Sequence, residues 1–194
     1  ESQDFVIANH FVEHCENPIE ALRNMLRILR VGGILYLALP DKRFTFDVDR
    51  PVTQIEHLLK DYTDGPAWSK REHFVEFAQL FYQLPEAELL SRAQHLLEID
   101  YSIHYHVWTQ AEMLELLVVL KRELGFNFEI KALLQHSNEC LFILEKSSQA
   151  CDEQAREMAR LSLIELREAV EKNLHGLSVK TQAALATSEL VPGQ

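Results

Sequence analysis

Two short, wholly apolar runs joined by one amphipathic helix constrain this 194-residue chain more than any other feature. Phe5-Val6-Ile7-Ala8 has the pattern of a strand buried on both faces of a parallel sheet. Asn17 is placed to cap a helix, Pro18 suits its first position, and Glu20 can answer the free N–H groups of its first turn. Ile19, Leu22, Met25, Leu26 and Leu29 repeat at helical spacing while Arg23, Arg27 and Arg30 face outward, and Gly32-Gly33 is expected to end the helix. Ile34-Leu35-Tyr36-Leu37-Ala38-Leu39 is then a second buried strand, stopped by Pro40. Such a crossover is right-handed with parallel strands, so the two carboxyl ends are neighbours. Ligands of open wound sheets bind just outside those ends, which makes Asn9, His10, Phe11, Asp41, Lys42 and Arg43 candidate site residues.

Residues 44–108 change to polar-rich helices. Ile55, Leu58, Leu59 and Tyr62 mark one; Ser69 with Glu72 reads as a capping box for a second bearing Phe74, Phe77, Ala78 and Phe81; Pro85 starts a third with Leu89, Leu90, Ala93 and Leu97. The block has the character of an insertion or lid. Thr109 with Glu112 is a further capping box, opening an apolar helix that ends near Gly125. Phe126, Phe128, Ile130, Ala132 and Leu134 alternate, and the run from Cys140 to Leu144 follows a polar five-residue turn, which predicts a closing antiparallel hairpin. Beyond Lys146, a polar joint leads to Ala159, Leu163, Leu166, Val170 and Leu177 at spacings near 3.5, a helix that either packs back or forms a short coiled coil. A disordered tail is expected over 178–194.

Acidic residues outnumber basic ones by 30 to 19 and no basic stripe with interleaved aromatics occurs, which disfavours a nucleic-acid partner. The apolar runs are too short to cross a membrane, so no membrane partner is expected. Cys15, Cys140 and Cys151 are odd in number and lack CxxC spacing; this argues against a disulfide framework and fits a reducing cytoplasm.

The string DFVIANHFVEHCENPIEALRNMLRILRVGGILYLALP resembles the second half of the core of class I S-adenosylmethionine-dependent methyltransferases (type 11-like). Asn9, the Glu13-His14 pair, Pro18, the run Leu29-Arg30-Val31-Gly32-Gly33 and Ile34 follow that family's order, with Val31 where it has proline. PDKRFTFD and the later HYHVWT look like a branch with a long helical insertion, sometimes found beside glycosyltransferases. The resemblance implies an α/β fold: a partial Rossmann-like sheet of two parallel strands plus a closing antiparallel hairpin, with a helical insertion and a C-terminal helix. The domain would cover 1–146, with the insertion at 44–108, a linker and helix at 147–177 and the tail at 178–194. It implies methyl transfer from S-adenosylmethionine to an oxygen or nitrogen of a small-molecule or glycan-related acceptor. The family's Gly-rich cofactor loop is not present: the glycines are Gly32, Gly33, Gly65, Gly125, Gly176 and Gly193. The expectation is therefore a C-terminal part of such a domain whose first strand keeps an open edge, apt to self-associate there or through the C-terminal helix.

Within that reading Asn9, His10 and Phe11 lie toward the cofactor, and His10, His106 and Asp41 are the residues assigned to acceptor-side chemistry. An imidazole can take the proton released on methylation. Lys42, Arg43, Arg50 and His104 are assigned to substrate binding, the arginines through their planar forks. His14 is read as structural, bonding backbone near the helix start. His104 and His106 are alternate residues and would point to one side; with His57, His73 and His95 nearby a metal site is conceivable, but no HExxH, facial triad or Cys pair supports it and none is assigned. Two other classes stay open: a non-catalytic assembly module, and a histidine-site metal hydrolase.

Overall fold

Asn17 accepts the N–H of Glu20, and Pro18 opens helix α1, Pro18–Ile28, as the capping pattern requires. The apolar stripe of α1 then covers a four-stranded sheet of order β1-β2-β4-β3, formed by β1 (Gln3–Asn9), β2 (Leu29–Pro40), β3 (Phe128–His136) and β4 (Glu139–Lys146). In this computed structural model residues 2–82 and 84–148 are described. The expected C-terminal helix and tail fall outside the described residues.

β1 pairs parallel with β2, and β4 runs antiparallel to both β2 and β3. The expected crossover and closing hairpin are both present, although the hairpin turns on Ser137 and Asn138 alone, with Ser137 at φ 54°, rather than on five residues. Between β2 and β3 lie α2 (Ile55–Asp64), α3 (Lys70–Tyr82), α4 (Glu86–Glu98) and α5 (Gln110–Arg122). α5 carries the expected Thr109–Glu112 capping box. Ser69 does not cap α3: its hydroxyl donates to Asp61 Oδ1 at 3.2 Å, and so is committed to α2.

Three further expectations are corrected. β1 is not buried on both faces; Phe5 is 64% and Ile7 60% exposed, because β1 is the edge strand and the main core lies on the other side of the sheet. That core joins Ile19, Leu22 and Leu26 of α1, Leu58 of α2 and Leu116, Leu117 and Leu120 of α5 to Leu35, Leu37, Phe142 and Leu144 of the sheet. Second, the Gly32-Gly33 pair does not end α1. The helix stops at Ile28, its last carbonyls are met by Lys146, whose Nζ donates to the carbonyl of Leu29 at 2.7 Å, and the glycines form an irregularity inside β2. Third, the alternation expected of β3 breaks: the register shifts between Ile130 and Ala132, and Leu133 rather than Leu134 packs against the core, leaving Leu134 55% exposed. Within the insertion, Phe74, Phe77, Ala78, Ala93 and Leu96 close a second core with Ile103 and Tyr105.

Gly33 is confined by backbone on every side. A Cβ there would meet the carbonyl oxygens of Arg30 at 2.8 Å, Gln3 at 3.0 Å and Asp4 at 3.1 Å. None of these can swing away, so Gly33→Ala should destabilise the fold by about 1–3 kcal/mol in urea unfolding. An unchanged midpoint would mean that β1 does not sit this close to β2.

Candidate active site

At the carboxyl end of β1 the chain turns sharply. His10 has φ 45°, a left-handed conformation uncommon outside glycine, and its N–H donates to the carbonyl of Ala38 on β2 at 2.9 Å. The imidazole is half exposed, with Nε2 2.9 Å from Glu139 Oε2 at the start of β4 and Nδ1 3.5 Å from Glu13 Oε1. Glu13 is fully buried, and neither of its carboxylate oxygens has a hydrogen-bond partner. Burial pushes its pKa up, against the lowering pull of its backbone hydrogen bond and of His104 and His10. Asn9 and Phe11 flank His10 and are exposed.

Behind this end lies a paired network. His14 Nδ1 donates to the carbonyl of Ile103 at 2.8 Å, so its backbone partner is 89 residues away rather than at the helix start. Burial, with the neighbouring His104, holds the His14 pKa below the usual imidazole value. His104 Nδ1 lies 2.6 Å from Asp47 Oδ2 and, facing a carboxylate, donates to it. Arg50, 4% exposed, donates to Asp47 Oδ1 at 2.9 Å, to Glu76 Oε2 at 2.7 Å and to the carbonyl of His104 at 2.9 Å. The guanidinium fork expected to meet substrate is thus filled by the protein's own acids.

Asp41, also 0% exposed, takes a two-point contact from Arg43 and accepts the backbone N–H of Arg43, closing the turn after β2. Its oxygens are engaged by Arg43, the Gln110 N–H and the Cys140 thiol. Lys42 Nζ donates to the carbonyl of Val48 at 2.7 Å. Cys140 lies against this pair, its thiol pKa raised by burial and by the Asp41 carboxylate.

His106 does not join His104. In an extended stretch alternate residues stand about 6.6 Å apart, and here each imidazole reaches a different set of partners. His106 is fully buried among His57, His73 and Asp61. Asp61 Oδ2 lies 3.5 Å from His106 Nε2 and 3.2 Å from His57 Nε2, and His57 Nε2 lies 3.2 Å from His73 Nε2. Burial pushes the His106 pKa down to about 3 and that of His73 to about 4, each helped by a neighbouring imidazole. A second group, Glu13, His14 and His104, also brings its ligand-type atoms together. His95 belongs to neither.

A sequence model described as "Methyltransferase domain" matches residues 1–117. The chain belongs to this methyltransferase domain family. No curated protein and no solved structure matches it. The matched span holds β1, α1, β2, the insertion and the first turns of α5, hence every candidate residue except Glu139 and Cys140. No helix among the described residues is long and apolar enough to cross a membrane.

This family generally uses S-adenosylmethionine, a positively charged sulfonium. The residues present fit the methyl-bearing end of such a group. The orphaned Glu13 carboxylate beneath His10 gains from a cation brought near, and Asn9 and the half-exposed Phe11 ring offer polar and apolar surface at the same strand end.

Sequence reasoning placed Asn9, His10 and Phe11 together with the end of β2, but missed Asp47, Glu76 and Glu139, which lie 57, 26 and 129 residues along the chain from His104, Arg50 and His10. The one available signal was Asp47, three residues before Arg50. Burial tends to raise the Asp47 pKa, but hydrogen bonds from His104 and Arg50 outweigh it and hold the carboxyl below its usual value. A depressed folded value stabilises the fold above the unfolded pKa of about 4, and that contribution is lost as pH falls through the folded value. Acid titration of stability should therefore flatten below about pH 4 in Asp47→Asn. Arg50→Ala, which strips the buried Asp47 carboxylate of its arginine and leaves it only His104, should cost about 3–5 kcal/mol at neutral pH; a loss near zero would sink this account of the network.

Proposed function

We propose that the domain transfers a methyl group from S-adenosylmethionine to an oxygen or nitrogen of a small-molecule or glycan-related acceptor. The carrying observation is His10, held in a left-handed turn at the carboxyl end of β1 between Glu13 and Glu139, with one face open. Backbone outliers of this kind persist where neighbouring structure fixes them, often at functional sites.

Asn9, His10 and Phe11 would hold the cofactor, which when bound supplies a methyl carbon on positively charged sulfur. The protein's part is placement and proton handling. Glu139 aligns the His10 ring, and His10 takes the proton that the acceptor's oxygen or nitrogen sheds as it is methylated. Arg43 is fixed by Asp41 at the edge of the neighbouring strand end, where it favours an acceptor bearing negative or hydroxyl groups. His104, aligned by Asp47 and packed at 4.9 Å against the exposed Phe46 ring, is a second group for orienting an acceptor. His106 and Asp41 are buried, and we assign them support rather than proton transfer. The free thiols of Cys15 and Cys140 suit a reducing compartment such as the cytoplasm.

Labelled methyl transfer should be measured with a panel of hydroxyl- and amine-bearing small molecules and sugars. His10→Gln is expected to lower kcat by about 10²–10⁴ and also to weaken S-adenosylmethionine binding, whereas Phe11→Ala weakens S-adenosylmethionine binding with a smaller loss of kcat. Absence of cofactor binding, or full activity in His10→Gln, would overturn the reading.

Self-association along β1 is a second role, favoured by its edge position, unpaired among the described residues, and by the exposure of Phe5 and Ile7. Ile7→Lys should shift sedimentation toward the monomer; an unchanged distribution removes β1 from any interface.

A further inference from the structure

The cluster of His57, Asp61, His73 and His106 has no part in the chemistry proposed above, and as a set of ordinary hydrogen bonds it is unsatisfactory. Asp61 is 0% exposed; its Oδ1 is held by the Ser69 hydroxyl, yet Oδ2 has no hydrogen-bond partner. His106 Nδ1 is also buried without one, and His106 Nε2 lies 3.3 Å from the carbonyl of Glu16. His57 and His73 face each other nitrogen to nitrogen, an arrangement in which one proton at most is shared. A buried carboxylate oxygen left bare among three imidazoles is costly unless something positive lies between them.

The distances say what that is. Four ligands bound to one tetrahedral ion at about 2.0–2.1 Å stand about 3.3 Å from one another. The separations here are 3.2 Å for His57 Nε2 to His73 Nε2, 3.2 Å for His57 Nε2 to Asp61 Oδ2 and 3.5 Å for His106 Nε2 to Asp61 Oδ2. One ligand atom from each of the four residues lies within 4.8 Å of all the others. We propose that His57, Asp61, His73 and His106 form a binding site for a divalent transition-metal ion, zinc by preference.

Three imidazoles and one carboxylate are the donor set and number for tetrahedral zinc, and they are too rich in nitrogen for calcium or magnesium. Ser69 on Asp61 Oδ1 supplies an outer partner that aims Oδ2 inward. A cleft of about 440 Å3 bordered by Gln54, His57, Glu72, His73, Glu76 and Tyr105 gives the ion a way in. With four protein groups the tetrahedron is closed, so the ion ties together rather than activates water. It joins α2 through His57 and Asp61, α3 through His73, and the connector before α5 through His106. The proposal stands independently of the methyltransferase chemistry, since none of the four residues is placed at the His10 end.

The test uses the full chain, freed of metal by a chelator, dialysed and titrated with Zn2+ or Co2+. The expected result is about one tightly held equivalent, a Co2+ visible spectrum of the intense tetrahedral type, and a higher melting temperature with metal. His57→Gln and Asp61→Asn should abolish the spectrum and weaken Zn2+ binding beyond the roughly 10–100-fold expected of the outer-shell variant Ser69→Ala, while His95→Ala leaves both unchanged. Because the unaltered chain is itself titrated, misfolding of a variant does not blunt the test. Failure of the unaltered chain to bind either ion, or binding undiminished in His57→Gln and Asp61→Asn, overturns the site.

Discussion

The connector from residue 101 to 109 holds the molecule's two cores and both histidine groups in place. It belongs to no helix or strand, yet much of it is buried, and buried backbone groups need partners. Loops and side chains supply them. Tyr105 N–H donates to the carbonyl of Glu13 at 2.8 Å, Thr53 N–H to that of Val107 at 2.8 Å, and Lys42 N–H to that of Trp108 at 3.0 Å. His14 and Arg50 meet the carbonyls of Ile103 and His104. Through these bonds the connector touches the turn after β1, the turn after β2 and the start of the insertion.

Electrostatics follows from that placement. His104 and His106 are carried inward two residues apart, and each comes to lie beside a different acid. Asp47 serves the first and Asp61 the second, and both acids are themselves buried. Arg50 then balances Asp47 and Glu76, whereas the group around Asp61 includes no Arg or Lys contact to its carboxylate among the described residues. The difference in cation supply separates a self-neutralised network near the strand ends from a cluster that attracts a positive ion.

Elements written in local patterns were legible in the sequence. The cap at Asn17 and the capping box at Thr109 each depend on residues a few positions apart, and each formed as read; the closing hairpin formed too, but its alternation broke at the register shift between Ile130 and Ala132. The glycine pair misled because a helix stop and a strand irregularity use the same left-handed freedom; the pairing of Leu29 with Gln3 decided between them, and that is a long-range fact. Ser69 misled likewise, since its hydroxyl had a choice between the next helix and the carboxylate eight residues back. At the site, positions at strand ends followed from topology, but Glu139, Asp47 and Asp61, the acids beside His10, His104 and His106, lie 45 to 129 residues away. The spacing of His104 and His106 suggested a shared target; the separation of the acids that receive them set them apart.

The possession of a second core by the insertion has an evolutionary meaning. Phe74, Phe77, Ala93 and Leu96 pack on one another and on Ile103 and Tyr105, apart from the leucines that bind α1 and α5 to the sheet. Substitutions inside the helical block are therefore felt first by its own packing and by the surface it offers near Phe46 and Phe81. Under the proposed function, a lineage could remodel that surface to suit a new acceptor while the sheet and its strand-end histidine stayed as they were, so that chemistry and choice of acceptor would drift on separate clocks.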